Sequence, residues 1–305
     1  MLKELLPHNS KIGDWISEFD LVLDMRWGDS FSDIYGLRRL AMMNSLARIA
    51  VSNGVTLAMG PQTIGPFESF AGRSLGRFAA RRADIILARD SQSSEYCNEF
   101  GLPAVIQSTD VVFALPVPLM EKKYDIAINV SGLLWNENPH IDRRVYRNSL
   151  VRLCRSLLDS GREITLFAHV LDSDGLDNDV PAVKDLQSEL SHQVDAFIPR
   201  ELSEVRGFVA SADLVIGARM HACLNALSVG TPAIPLAYSR KFAPLLEDLG
   251  WHHTVDLRGD SCYVGQVRDR VESSPGLKSE LDSLRRRADG LLDEGTRALK
   301  ELVLS

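Results

Sequence analysis

The stretch DLVIGARMHACLNALSVGTPAIPLAYSRK, Asp213 to Lys241, decides how this chain folds. Asp213 to Ile216 is a short β-rich run, and Gly217-Ala218 permits a tight turn after it. Arg219, Met220 and His221 stand where a helical pattern begins, with Leu224, Leu227 and Ser228 at turn spacing. Gly230 ends that helix, Thr231-Pro232 follow, and the apolar run Ala233 to Ala237 leads to Tyr238 and Lys241. Strand, glycine turn, helix and strand make one unit of a parallel α/β sheet.

Ligands of such sheets bind at the carboxyl ends of the strands, where helix N-termini offer N–H groups and partial positive charge. An arginine and a histidine on that turn add a fixed charge and a titratable group. The stretch therefore predicts a site for an anion, phosphate or carboxylate. A competing reading pairs Arg219 with a carboxylate of the chain itself and packs His221 against the turn. Tyr238 and Lys241, due at the same sheet edge, weigh against it.

Working outward, the whole chain has the means to build two such sheets. Its 305 residues are 45% hydrophobic and 25% charged, enough for one large core or two ordinary ones. A formal net charge of −7 argues against general nucleic-acid binding. Cys97, Cys154, Cys223 and Cys262 lie far apart with no CxxC pair, which suits reduced thiols and gives no metal signature. No apolar run reaches the length of a membrane span and the first residues lack a signal-peptide core, so the reading is a cytoplasmic protein. Peripheral contact with the inner face of a membrane stays open.

Before the deciding stretch, FDLVLDM (19–25) reads as a strand and GLRRLAMMNSLARIAV (36–51) as an amphipathic helix with Leu40, Met43, Leu46, Ala47 and Ala50 on one stripe. VTLAMG (55–60) is a strand followed by the loop GPQTIGPF (60–67), whose glycines and prolines let backbone approach a ligand. Residues 71–83 are helical and basic, with Arg73, Arg77 and Arg81 on one face. That face is either simply solvated or a landing strip for an anionic lipid-linked substrate or bilayer. A further strand ends at Ala88, Arg89 stands at its carboxyl end, and Asp90 or Ser91 caps the next helix. Arg89 faces either a ligand over the sheet or a local acid.

The proline-bearing LPVPLMEKK (115–123) marks a boundary. Beyond it DIAINVSGLL gives a strand and a Ser131-Gly132 turn, and a strand ends near His169. The acidic DSDGLDNDVP, with Asp172, Asp174, Asp177 and Asp179, reads as a solvated loop or helix entry. These readings divide the chain into an N-terminal α/β domain (1–115), a linker (116–123), a C-terminal α/β domain (124–275) and a helical tail (276–305).

Several stretches in register then resemble one family. GPQTIGPF, ARDSQSS followed by EFGL, STDVVFAL, FAHVLDSDGLDND and IGARMHACLNALSVGTPAIPLAYSRKF are similar to the polysaccharide pyruvyl transferases, over roughly residues 19 to 250. The resemblance implies two Rossmann-like domains in a GT-B-like arrangement. It implies transfer of pyruvate from phosphoenolpyruvate, a co-substrate, onto two hydroxyls of a saccharide acceptor or its lipid-linked precursor, with no cofactor. The family's R-x-H element falls on Arg219 and His221, which become the candidate catalytic pair. Tyr238 and Lys241 match its Y-x-x-K element, His169 its strand-end histidine, and Arg89 its arginine from the other domain. Gln62 and Gly65 of the first loop, and Ser131 and Gly132 of the second turn, join them as candidate substrate contacts.

Two departures qualify the likeness. Family members begin with a βα unit carrying an N-x-G-D loop, which here would precede the first strand, so the N-terminal domain reads as shortened, with an exposed sheet edge. Where a Gly-Gly strand end is common, this chain has DMRWGDSFSD (24–33), with Asp24, Arg26, Trp27 and Asp29. A GT-B glycosyltransferase using a nucleotide sugar, and a non-catalytic remnant binding carbohydrate or protein, are the alternative functions.

Overall fold

The computed structural model describes residues 11–25, 31–34, 36–102, 104–171, 177–239, 241–259 and 263–304. Arg26, Trp27, Asp29, Asp172, Asp174 and Cys262 lie outside the described residues. The chain divides into two compact units, Met1–Val111 with Ala288–Ser305, and Val112–Arg287.

The first unit comprises α1 (Lys11–Ile16), β1 (Leu21–Asp24), α2 (Leu37–Ser52), β2 (Thr56–Gln62), α3 (Phe70–Ala80), β3 (Ile85–Ala88), α4 (Ser91–Glu99) and β4 (Val105–Gln107). Its four strands are parallel and lie in the order β1-β2-β3-β4. Because the order never reverses, right-handed crossovers put α2, α3 and α4 on one face. There Leu40 and Ala47 of α2, Ala79 and Ala80 of α3 and Cys97 of α4 pack with Leu57, Met59 and Ile86. Strand residues of the opposite parity, Ala58, Ile85 and Leu87, turn to the other face. β1 is an edge strand among the described residues, and Leu23 is 44% exposed on it. β2 runs on through Pro61 to Gln62, past the strand end that the sequence predicts. A register shift between Met59 and Gln62 admits Pro61, which has no N–H to give a ladder.

The second unit comprises β5 (Tyr124–Asn129), α5 (Gly132–Trp135), α6 (Arg143–Asp159), β6 (Ile164–Phe167), α7 (Asp179–Glu189), β7 (Asp195–Phe197), α8 (Leu202–Ala210), β8 (Ala212–Gly217), α9 (Met220–Ser228), β9 (Ala233–Ala237), α10 (Phe242–Asp248), β10 (Val255–Asp256) and α11 (Tyr263–Ser273). The six parallel strands lie in the order β10-β9-β8-β5-β6-β7. That is the doubly wound order, which reverses direction at β5 and leaves a crevice between the carboxyl ends of β5 and β8. Asn129 and Gly217, partners in register, mark that crevice. β5 and β8 are buried on both faces, and Ile126, Ile128, Leu214 and Ile216 are at most 1% exposed. Each such side chain contributes about 1.5–3 kcal/mol on transfer from water.

The 116–123 stretch is fastened to the second unit. Arg206 donates from Nη2 to the carbonyls of Leu115 and Pro116, and the Lys123 and Tyr124 N–H groups donate to Ser211 O. The last helix, α12 (Lys278–Leu304), belongs to both units. Its early residues Leu281 and Leu284 are buried, while Ala298, Leu299 and Leu302 cover the second face of the first sheet.

Candidate active site

At the crevice of the second sheet, one buried carboxylate organises everything. Asp179, the first residue of α7, is fully buried. Its Oδ1 accepts from the Gly132 N–H (2.8 Å) and from Arg219 Nε (3.0 Å) and Nη2 (2.7 Å). Its Oδ2 accepts from the His169 and Val170 N–H groups (3.0 Å each) and from Asn129 Nδ2 (3.4 Å). Strand ends β5, β6 and β8 thus converge on a carboxylate that the chain itself supplies. Asn129 completes the frame, since its Oδ1 accepts from the Arg219 N–H at 3.0 Å. Of DSDGLDNDVP, the described residues from Asp177 on form a helix entry with Asn178 as N-cap, and Asp179 there is not solvated.

This arrangement gives Arg219 carboxylate partners within the chain, as the competing sequence reading has it. The guanidinium is 9% exposed, and Nη1 also lies 2.7 Å from Asp177 Oδ1. Burial alone would lower its pKa, but Asp179 and then Asp177 outweigh that and raise it. The two carboxylates are not equivalent. Asp179 makes aligned bonds and is sealed, whereas Asp177 Oδ1 makes no aligned hydrogen bond and its side chain is 46% exposed. Gly132 is needed for packing, because a Cβ there would stand 2.0 Å from Asn178 O. Ser131 is buried too; its N–H donates to the Tyr146 hydroxyl and its Oγ has no hydrogen-bond partner. In this structure Ser131 and Gly132 join strand to helix inside the protein.

Two clusters at the same edge carry titratable groups. His169, just past β6, and His221, in the first turn of α9, lie close enough to interact electrostatically. Burial pushes the His169 imidazolium down to about 4, and His221 adds to the effect. Asn225, one turn beyond His221, contacts the His169 ring and the His221 carbonyl. Its Oδ1 accepts from Arg206 Nη1 (2.9 Å), so its Nδ2 faces His221 O (2.8 Å) and His169 Nε2 (3.4 Å). Nε2 of neutral His169 is then the acceptor, with the ring proton on Nδ1. The second cluster joins Tyr238, past β9, to His140, with ring centroids 5.1 Å apart. Burial and then the Lys241 ammonium hold the His140 pKa below its ordinary value. An open cavity of about 560 Å³ lies along 137–144, around His140.

In the first unit, Arg89 is buried against an acid. Its Nη1 donates to Asp110 Oδ2 at 3.1 Å and its Nη2 to Thr63 Oγ1. Gln62 is 2% exposed, and neither polar atom of its side chain has a hydrogen-bond partner. Gly65 has φ +71°, and a Cβ there would stand 2.8 Å from the Tyr96 ring. Its loop is held by Ile64 N–H to Ser93 Oγ (2.9 Å) and Phe67 N–H to the Tyr96 hydroxyl (3.0 Å). Gly65 of GPQTIGPF therefore has a packing reason here. Asp90 is the N-cap of α4, accepting from the Ser93 N–H at 2.7 Å.

Asp179, Asn129, Asn225 and His140 are the residues that sequence reasoning misses. Asn225 stands four residues after His221, on the same helix face, which is a usable signal. Asp179 is hidden among neighbouring acids, and His140 meets a partner almost a hundred residues away.

Fold and site define a two-domain parallel-sheet protein of GT-B-like fold. The polysaccharide pyruvyl transferase model matches residues 6–240, and this chain belongs to that family. The amylovoran biosynthesis protein AmsJ of Erwinia amylovora is 21% identical over 258 residues, 78% of this chain and 61% of that protein. This chain thus spans about three fifths of that relative's length. Among solved structures, Anabaena HepE in complex with UDP is similar with a TM-score of 0.60 at 13% identity, over 97% of this chain and 81% of that one. A UDP-GlcNAc 2-epimerase from Neisseria meningitidis gives 0.60 at 14%, over 95% and 79%. At those identities the likeness speaks to the fold alone.

Proposed function

We propose that the protein moves pyruvate from phosphoenolpyruvate onto two hydroxyls of one sugar, forming a cyclic ketal on a polysaccharide or its lipid-linked precursor. It would act in the cytoplasm, in exopolysaccharide biosynthesis. What supports this reading is family membership together with the position of Arg219-Met220-His221 at the winding reversal of the second sheet. The donor brings a phosphate and a carboxylate, which call for cations and backbone donors. Lys241 and the first-turn N–H groups of α9 would supply them.

Arg219 has two parts in this scheme. Asp179 keeps it fixed, and the half-exposed Asp177 is the exchangeable counter-ion whose place the donor phosphate takes. His221 gives its proton to the methylene carbon, making C2 oxocarbenium-like. A sugar hydroxyl attacks C2 and returns a proton to His221. The C2–O bond to phosphate then breaks, the second hydroxyl closes the ring on C2, and its proton leaves with the phosphate. Arginine offsets the charge that gathers on the departing phosphate. His169 is neutral near pH 7.

The test is incubation with phosphoenolpyruvate and a panel of pyranoside acceptors. Phosphate release that depends on the acceptor, matched by a gain in acceptor mass, is the expected result. Turnover of a nucleotide sugar instead would replace this reading with glycosyl transfer.

A further inference from the structure

We propose that the outer face of α2 and α3 docks the first unit onto an anionic lipid bilayer. The two helices pack side by side on one face of the first sheet, so their outer sides point the same way. α2 carries Arg38, Arg39 and Arg48; α3 carries Arg73 and Arg77; Arg81 and Arg82 follow at once. Neither helix contains an Asp or a Glu, in a chain whose net charge is −7. Seven cations concentrated against the overall sign are a local field, and an anionic surface is its complement.

Exposed apolar side chains accompany the charge. Phe70 is 86% exposed and Phe78 52%, with Leu37 at 43% and Met42 at 44%. Between the helices lies a cavity of about 230 Å³, floored by Ala47, Leu75 and Ala79 and rimmed by Phe78, Arg48 and Arg82. The Arg82 guanidinium sits 3.4 Å over the Phe78 ring and donates to Phe78 O at 2.6 Å, so cation and aromatic act together at the rim. Of the nearby acids, Asp33 is committed to the Glu68 and Ser69 N–H groups and the Ser69 hydroxyl, Asp84 accepts from the Leu57 N–H, and Glu68 is exposed beside Phe70.

Arginines around protruding phenylalanines and an apolar slot match the bilayer interface, where headgroup phosphates meet acyl chains. A nucleic acid would use the arginines and gain nothing from Leu37, Met42 or the slot. Each basic residue near an anionic leaflet adds to the attraction, and the apolar contacts hold the protein at the surface when salt screens the charges.

The experiment is vesicle flotation of the full chain, without donor or acceptor, so that its outcome is independent of the proposed reaction. Phosphatidylcholine vesicles are compared with vesicles that also contain phosphatidylglycerol. The protein should float with the anionic vesicles only, and salt should weaken the binding. Arg77→Glu with Arg81→Glu should weaken binding about tenfold or more, and Phe70→Ser alone should weaken it measurably, with thermal midpoints unchanged. No flotation with anionic vesicles, equal flotation with neutral ones, or variants that bind like the parent would overturn the proposal. Capture of an acidic protein by this face without vesicle binding would overturn it as well.

Discussion

At the residue scale, the central observation is that the carboxyl edge of the second sheet already holds an anion, and that anion is Asp179. Six donors, four from the ends of two strands and two from Arg219, converge on it. Removing the guanidinium leaves a buried carboxylate without its counter-charge, so Arg219→Met should cost about 3–5 kcal/mol in urea denaturation. Asp179→Leu combined with Arg219→Met should cost less than the two single changes added together, because they belong to one network. Asp177 should behave differently. Asp177→Asn should leave stability within about 0.5 kcal/mol, and it should lower KM for phosphoenolpyruvate, as measured by initial rates. An unchanged KM would remove Asp177 from the donor site. His169 makes a pH prediction. Its pKa falls from 6.5 to about 4 on folding, so the unfolded chain binds the proton more readily. Stability is then complete above pH 6.5 and declines as pH falls from 6.5 toward 4, by an amount on the order of 3 kcal/mol. His169→Gln should flatten that decline in denaturation curves taken across the window.

At the element scale, the glycine turn after β5 shows how a shared motif serves a different end. In a doubly wound sheet such a turn lets a ligand approach the backbone. Here the space beside Gly132 is filled by the start of α7, where a Cβ would meet Asn178 O at 2.0 Å. Gly132→Ala should therefore push α7 off the sheet, costing about 1–3 kcal/mol, with faster hydrogen exchange at His169 and Val170. Periodicity and punctuation made the elements themselves readable. The strand-turn-helix-strand of 213–237 appears as β8, α9 and β9, and the α2 stripe of Leu40, Met43, Ala47 and Ala50 is buried. Pairings were less readable, because a sequence does not say which carboxylate reaches which arginine. Arg89 with Asp110, and Arg219 with Asp177 and Asp179, are contacts across 21 to 42 residues. Nothing in local spacing distinguishes Asp179, fully buried, from the acids beside it.

At the scale of the whole molecule, α12 is the element that each unit needs. Its second half supplies Ala298, Leu299 and Leu302 to a sheet whose crossover helices all lie on the opposite face. Ending the chain after Arg287 should expose Ala58, Ile85 and Leu87. Limited proteolysis should then digest the first unit while a fragment near Val112–Arg287 survives. Equal resistance of both units would show that α12 is dispensable there. The reaction itself is tested most directly by its proton. Turnover of phosphoenolpyruvate with a pyranoside acceptor in D₂O should give a ketal whose methyl group carries one deuterium, read by NMR. His221→Gln should abolish that product with the thermal midpoint unchanged. A ketal formed at the parental rate by His221→Gln, or phosphate released with no ketal on the sugar, would contradict the account.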